Sequence, residues 1–236
     1  MKILNIVFFA LMVVMNYLAN ALPLGGKTTG ALSAQYPNLF VPAGITFSIW
    51  GVIYLMLAIF VVLQFREQNK AMVEAIGWAF ALSCLLNALW IVAWHYEKLP
   101  LSLLIMLGLL AVLTYINLQL RGQPLGLTRA VFGIYLGWIC IATIANVTAL
   151  LVNYNWGGWG VPEAAWAIIM IVAGLLVTSL ALYRLQNPAL GLAVVWAFAG
   201  IVINRQGDYP AIAITAAVAA IIMATFAIYS ATREFT

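Results

Sequence analysis

His95 is the only histidine in the chain, and Trp94, Tyr96 and Glu97 stand beside it. An imidazole can ligate haem iron or titrate near neutral pH. With no second histidine and no CxxCH attachment site, the residue reads as a hydrated histidine near the membrane surface. Carboxylates are as sparse. Glu74 and Glu163 fall in first turns of helices, where the dipole favours them. Glu67 and Glu97 have basic neighbours in loops, Asp208 follows Arg205, and Glu234 is in the tail. None stands mid-membrane, where it would suggest proton or ion coupling. Cys84 and Cys140 fall mid-helix as small apolar residues, without a disulfide framework or metal motif. There is no Walker motif, GxSxG or HExxH. Enzymes of lipid or isoprenoid substrates usually need carboxylate clusters, and none is found. The expectation is a protein with no catalytic residue, no metal site and no required cofactor.

The remaining chemistry belongs to indoles, phenols and amides. Trp50 and Tyr54 are four apart and share one helix face below a segment marked by Pro37 and Pro42. Pro42 suits a first helical turn. Asn87, Trp90 and Trp94 step by three and four, so one face carries an amide and two indoles. Trp138, Ala142, Asn146 and Ala149 share another face, flanked by Gly137, Thr143 and Ala145. Indoles donate one hydrogen bond and offer a large flat surface. An amide in lipid needs a partner, which a neighbouring helix or a ligand supplies. Such faces suit a pocket for a flat ligand, and they equally suit helix packing.

These residues need apolar spans to position them. Hydrophobic residues make up 66% of the chain and charged residues 7%, against about 25% charged in soluble domains. Apolar runs near the length that crosses about 30 Å of hydrocarbon make this an all-α integral membrane protein. Eight spans are expected: Ile3–Ala21, Gly44–Phe65, Val73–His95, Pro100–Leu120, Arg129–Val152, Pro162–Tyr183, Pro188–Asn204 and Pro210–Ser230. The first resembles a signal peptide in Lys2 and Ala19-Asn20-Ala21. Asn16 and Asn20 on one face favour a retained helix bonded to a neighbour. The seventh is short, and a re-entrant segment there would leave seven crossings.

The net charge of +4 forms no basic stripe, so nucleic acid is not an expected partner. With the N-terminus inside, seven basic residues (Lys2, Arg66, Lys70, Arg121, Arg129, Arg184, Arg233) face inward and three (Lys27, Lys98, Arg205) outward. This predicts cytoplasmic N- and C-termini in a bacterial inner or plasma membrane. Trp156 and Trp159 in the outer loop read as interfacial anchors, with covering of a cavity mouth as the other reading.

Three blocks together resemble the TspO/MBR family of tryptophan-rich sensory proteins. Pro37, Pro42, Trp50 and Tyr54 are similar to its proline-marked loop and following helix. Asn87 and Trp90 are similar to its Asn-x-x-Trp helix. Tyr135, Leu136, Trp138, Ala142, Thr143 and Asn146 are similar to its Tyr-Leu-x-Trp…Ala-Thr-x-x-Asn helix. The resemblance implies a five-helix bundle over residues 1–152 and an additional three-helix extension over 153–236. It implies a non-enzymatic receptor or carrier for a flat apolar ligand such as a porphyrin, haem or a sterol-like molecule. Trp50, Tyr54, Asn87, Trp90, Trp138, Ala142 and Asn146 would line that site. The chain has Leu39 or Phe40 at the family's loop tryptophan, Ala43 and Gly44 after the prolines, and Ile105 and Met106 near its usual acidic position. The alternative is a permease for a small apolar or amphipathic solute. Gly and Ala on span faces permit a homodimer.

Overall fold

The computed structural model describes residues 1–22 and 24–232, so Arg233 and Glu234 lie outside the described residues. The long helices follow the apolar runs. They are α1 (Lys2–Ala21), the short α2 (Thr29–Ala34), α3 (Ile49–Leu63), α4 (Lys70–Ile76), α5 (Ala79–His95), α6 (Leu99–Gln119), α7 (Leu127–Asn153), α8 (Glu163–Leu185), α9 (Pro188–Arg205) and α10 (Pro210–Thr232). A 3-10 turn, Gly44–Ser48, leads into α3. Among the described residues, seven helices are long and apolar enough to cross a bilayer, and the count reaches eight if one bent pair is a single span.

That bent pair corrects the expected third span. Val73–His95 is not one helix: α4 and α5 meet at 61°. Gly77 sits at φ 58° and ψ −134°, a conformation that a Cβ opposes and glycine adopts freely. The apolar run continues across the break, so composition alone does not mark it.

α1 packs along α5 and touches α3. The Asn16 amide donates to Asn87 Oδ1 at 2.8 Å, the interhelical bond expected of that face. Asn20 instead steadies the next loop, its Oδ1 accepting from the Thr29 N–H at 3.3 Å. At the other end of α1, Asn5 donates to Gln64 Oε1 at 2.9 Å.

The short seventh span is well enclosed. Of the seven unbent spanning helices α9 has the largest buried share, 56%, and only α5, in the bent pair, is more enclosed. Eighteen residues reach about 27 Å. The helix lies between α7 and α10. A Cβ at Gly137 of α7 would overlap the Leu190 carbonyl, so glycine there permits backbone-to-backbone approach. Asn187 fixes the start of α9. Its Oδ1 accepts from the Ala189 N–H, while its Nδ2 donates to Asn117 Oδ1 and to the Arg129 carbonyl, each at 2.8 Å.

Candidate functional site

Tyr36 to Thr46 forms a cover over one end of the bundle, and local chemistry shapes it. Asn38 Oδ1 accepts from the Phe40 and Val41 N–H groups, and its Nδ2 donates to the Tyr36 carbonyl. This is the side-chain turn that Asn favours where the chain reverses. Pro42 then forbids helix until the 3-10 turn begins.

The far end of α9 holds this cover in place. Arg205 donates from Nη2 to the Asn38 carbonyl at 2.9 Å and from Nε to the Leu39 carbonyl at 3.1 Å. Asn204 donates to the Val41 carbonyl, and Trp196 Nε1 to the Thr46 carbonyl, both at 2.9 Å. The Ala43 N–H donates to the Gly200 carbonyl at 3.0 Å. Gly200 is needed here, because a Cβ would overlap the Thr46 hydroxyl. On the opposite side, the Tyr36 hydroxyl donates to Glu97 Oε2 at 3.2 Å, and Lys27 stands 3.5 Å from the other carboxylate oxygen. Partial burial first, then the charge and hydrogen bond of Glu97, push the Tyr36 phenol above its ordinary value.

Under the cover runs a ladder of rings. Tyr54 stacks on Trp50 at 5.5 Å, Trp50 on Trp90 at 6.2 Å, and Trp90 on Trp94 at 6.1 Å. Tyr36 tilts onto Trp94 at 6.0 Å and closes the top. Trp138 meets Trp50 edge-on at 6.1 Å, and Phe47 meets Trp138 edge-on at 5.9 Å. Edge-to-face and offset contacts of this kind are the favoured aromatic arrangements.

The ladder separates two spaces. The inner cavity, about 50 Å³, is walled by Trp50, Trp90, Trp94, Trp138, Ala142, Ala145, Asn146 and Ala149 and roofed by Asn38, Val41 and Pro42. It has room for little more than water. The lateral cavity, about 380 Å³, lies between α1 and the other side of Trp50 and Trp90, and includes Tyr54, Asn16, Asn20 and Thr29. Beyond the cover, a third space of about 500 Å³ adjoins Pro37–Phe40 and the loop holding Trp156. Asn38 borders both the inner and the outer space.

Of the seven residues expected to line a ligand, Trp50 and Trp90 face both inner and lateral cavities. Trp138, Ala142 and Asn146 face the inner cavity only, and Tyr54 the lateral one only. Asn146 Oδ1 accepts from the Ser102 hydroxyl at 2.9 Å, which orients its amide. Asn87 requires correction. It is fully buried and lines neither cavity. Its Oδ1 accepts from Asn16 and its Nδ2 donates to the Tyr135 hydroxyl at 2.8 Å, so it ties α1, α5 and α7 together. Reading the sequence also missed Trp94 and Arg205 as parts of the site. Trp94 shares the named face of Trp90, whereas Arg205 offered no local signal.

His95 differs from expectation as well. It is 4% exposed, not hydrated. Its Nδ1 lies 2.8 Å from the Ile91 carbonyl. A carbonyl only accepts, so the proton sits on Nδ1. Trp159 is 82% exposed, as an anchor would be, and packs with Trp156 and Trp166. Among the described residues no group of three or more His, Cys, Asp or Glu is placed to hold a metal ion.

No curated protein and no solved structure matches the chain. A family model described as TSPO-like protein matches residues 2–229, a span running from the start of α1 into the last turns of α10. A bundle of apolar helices matched over nearly its whole length makes this multi-pass membrane protein a member of the TSPO-like family.

Proposed function

We propose that the protein is a non-enzymatic membrane receptor or carrier that takes a flat apolar molecule, porphyrin-like or sterol-like, into the bundle beneath the cover. The observation that carries this reading is the ring ladder Tyr54–Trp50–Trp90–Trp94, with Trp138 set across it and a cavity on each side. Flat apolar faces at these spacings match the stacking surface of a planar ligand. The inner cavity alone is far below the usual size of small-molecule sites, and the lateral one falls within it. Binding therefore uses the lateral space and moves the Trp50–Trp90 layer, which joins the two. Occupancy then favours one arrangement of rings and cover, and a partner or a transport step reads it.

In this reading residues 1–152 are the five-helix core and 153–236 the three-helix extension, whose α9 secures the cover. The termini face the cytoplasm of a bacterial inner membrane. The test is tryptophan quenching by protoporphyrin dimethyl ester, in wild type and in the Trp50→Ala, Trp138→Ala double variant. Saturable quenching that the double variant loses supports the site; unchanged affinity removes it.

The spaces on either side of Asn38, one inside the bundle and one of about 500 Å³ outside, favour passage of a solute as a second reading. Uptake of a neutral aromatic probe into proteoliposomes without any ion gradient separates it from sensing, and no uptake above empty liposomes excludes it.

A further inference from the structure

Among the described residues, eight buried side-chain polar atoms have no hydrogen-bond partner. The Tyr54 hydroxyl sits beside the Asn87 amide, and four of the others belong to residues that wall the inner and lateral cavities: Thr29, Trp90, Trp94 and Trp138. The four are one hydroxyl and three indole N–H groups, and the three indoles can only donate. Buried donors without partners are rare in folded proteins and each is costly. Their concentration around one pair of cavities is a chemical description of what belongs there. The occupant supplies acceptors.

The same walls also limit its charge. Neither cavity is lined by a Lys, an Arg or a His. Arg205 spends its guanidinium on backbone carbonyls of the cover and on Asp208. A carboxylate in this interior would lie in an apolar setting with no counter-charge, which is strongly unfavourable. Neutral carbonyl-type oxygens meet the donors without that penalty.

Resting on the ligand-binding reading above, we propose that the occupant is a neutral flat molecule bearing carbonyl, ester or ether oxygens, and that a free carboxylate is rejected. Trp90 and Trp138 donate to its oxygens from the inner wall, Thr29 from the lateral one, and Trp50 supplies the stacking face between them. Loss of these bonds leaves the donors unpaired again, so discrimination rests on oxygen placement as well as on flatness.

The experiment compares three probes that share one ring system: anthracene, anthraquinone and anthraquinone-2-carboxylate. Each is titrated against the full-length protein in liposomes, with protein-free liposomes of the same lipid subtracted. Anthraquinone is expected to bind at least about tenfold tighter than anthracene, the equivalent of one to two net hydrogen bonds. The carboxylate is expected to fall back by a similar factor. Trp90→Phe and Trp138→Phe, which keep a ring and remove the N–H, should narrow the quinone-to-anthracene ratio. The wild-type comparison needs no substitution, so a variant that fails to fold does not blunt it. Equal binding of anthracene and anthraquinone overturns the donor assignment while the ligand-binding reading stands. Carboxylate binding as tight as that of the quinone overturns the neutrality. No binding of any probe above protein-free liposomes removes both readings together.

Discussion

The Arg205 guanidinium donates to the Asn38 carbonyl at 2.9 Å, joining positions 167 residues apart. One residue at the end of α9 thus fixes the turn that roofs the inner cavity. Hydrogen bonds from a charged donor contribute about 1.5–3 kcal/mol each. Arg205→Ala is expected to speed amide exchange across residues 38–46 by about tenfold or more, read by hydrogen-exchange mass spectrometry. Arg205→Lys should restore little, since one ammonium lacks the planar fork that reaches two carbonyls. Unchanged exchange in both variants would show that Arg205 does not hold the cover.

Asn87 is a tie between helices, so its loss should be a stability defect and not a binding defect. Asn87→Leu leaves the Tyr135 hydroxyl and the Asn16 amide without that partner. Interhelical hydrogen bonds in membranes contribute about 1 kcal/mol. Unfolding in mild detergent should report a loss of this order, with ligand affinity kept within about twofold. A large affinity loss at unchanged stability would return Asn87 to the binding site.

The contact of α7 with α9 depends on Gly137, whose missing Cβ makes way for the Leu190 carbonyl. Gly137→Val is expected to cost about 1–3 kcal/mol through overpacking. Gly51 on α3 is the control, because a Cβ there meets nothing within 4 Å. Gly51→Ala should be neutral or stabilising, since alanine favours helix by about 1 kcal/mol. Thermal unfolding of the two variants side by side checks both.

The raised pKa of Tyr36 gives the cover a pH dependence at its other edge. The folded state holds the phenol proton more tightly than the unfolded chain does. Its contribution is therefore full below the ordinary value near 10 and is lost as pH rises through the raised value. Above that range a phenolate would face Glu97. Unfolding temperature measured from pH 8 upward should fall more steeply in wild type than in Tyr36→Phe. Parallel curves would show that this phenol does not take part.

Most helices were legible because prolines and charges bracket apolar runs of spanning length. The exception, Gly77, breaks an uninterrupted apolar run, and a positive φ leaves no mark in composition. Trp50, Trp90 and Trp138 were legible from helical spacing, and they do meet. Asn87 was misplaced because spacing puts it on the face of Trp90, whereas only packing shows that Asn16 and Tyr135 already occupy its amide. Arg205 was read as a loop charge for topology. Its grip on Asn38 is a long-range contact with no periodic signature.

The central claim is that a flat ligand lodges against Trp50 between the two cavities. Titrating the reconstituted protein with protoporphyrin dimethyl ester, in wild type and in the folded Trp50→Ala, Trp138→Ala variant, tests it most directly. Two lost aromatic contacts should weaken binding by about tenfold or more. Affinity unchanged between the two proteins would contradict the account.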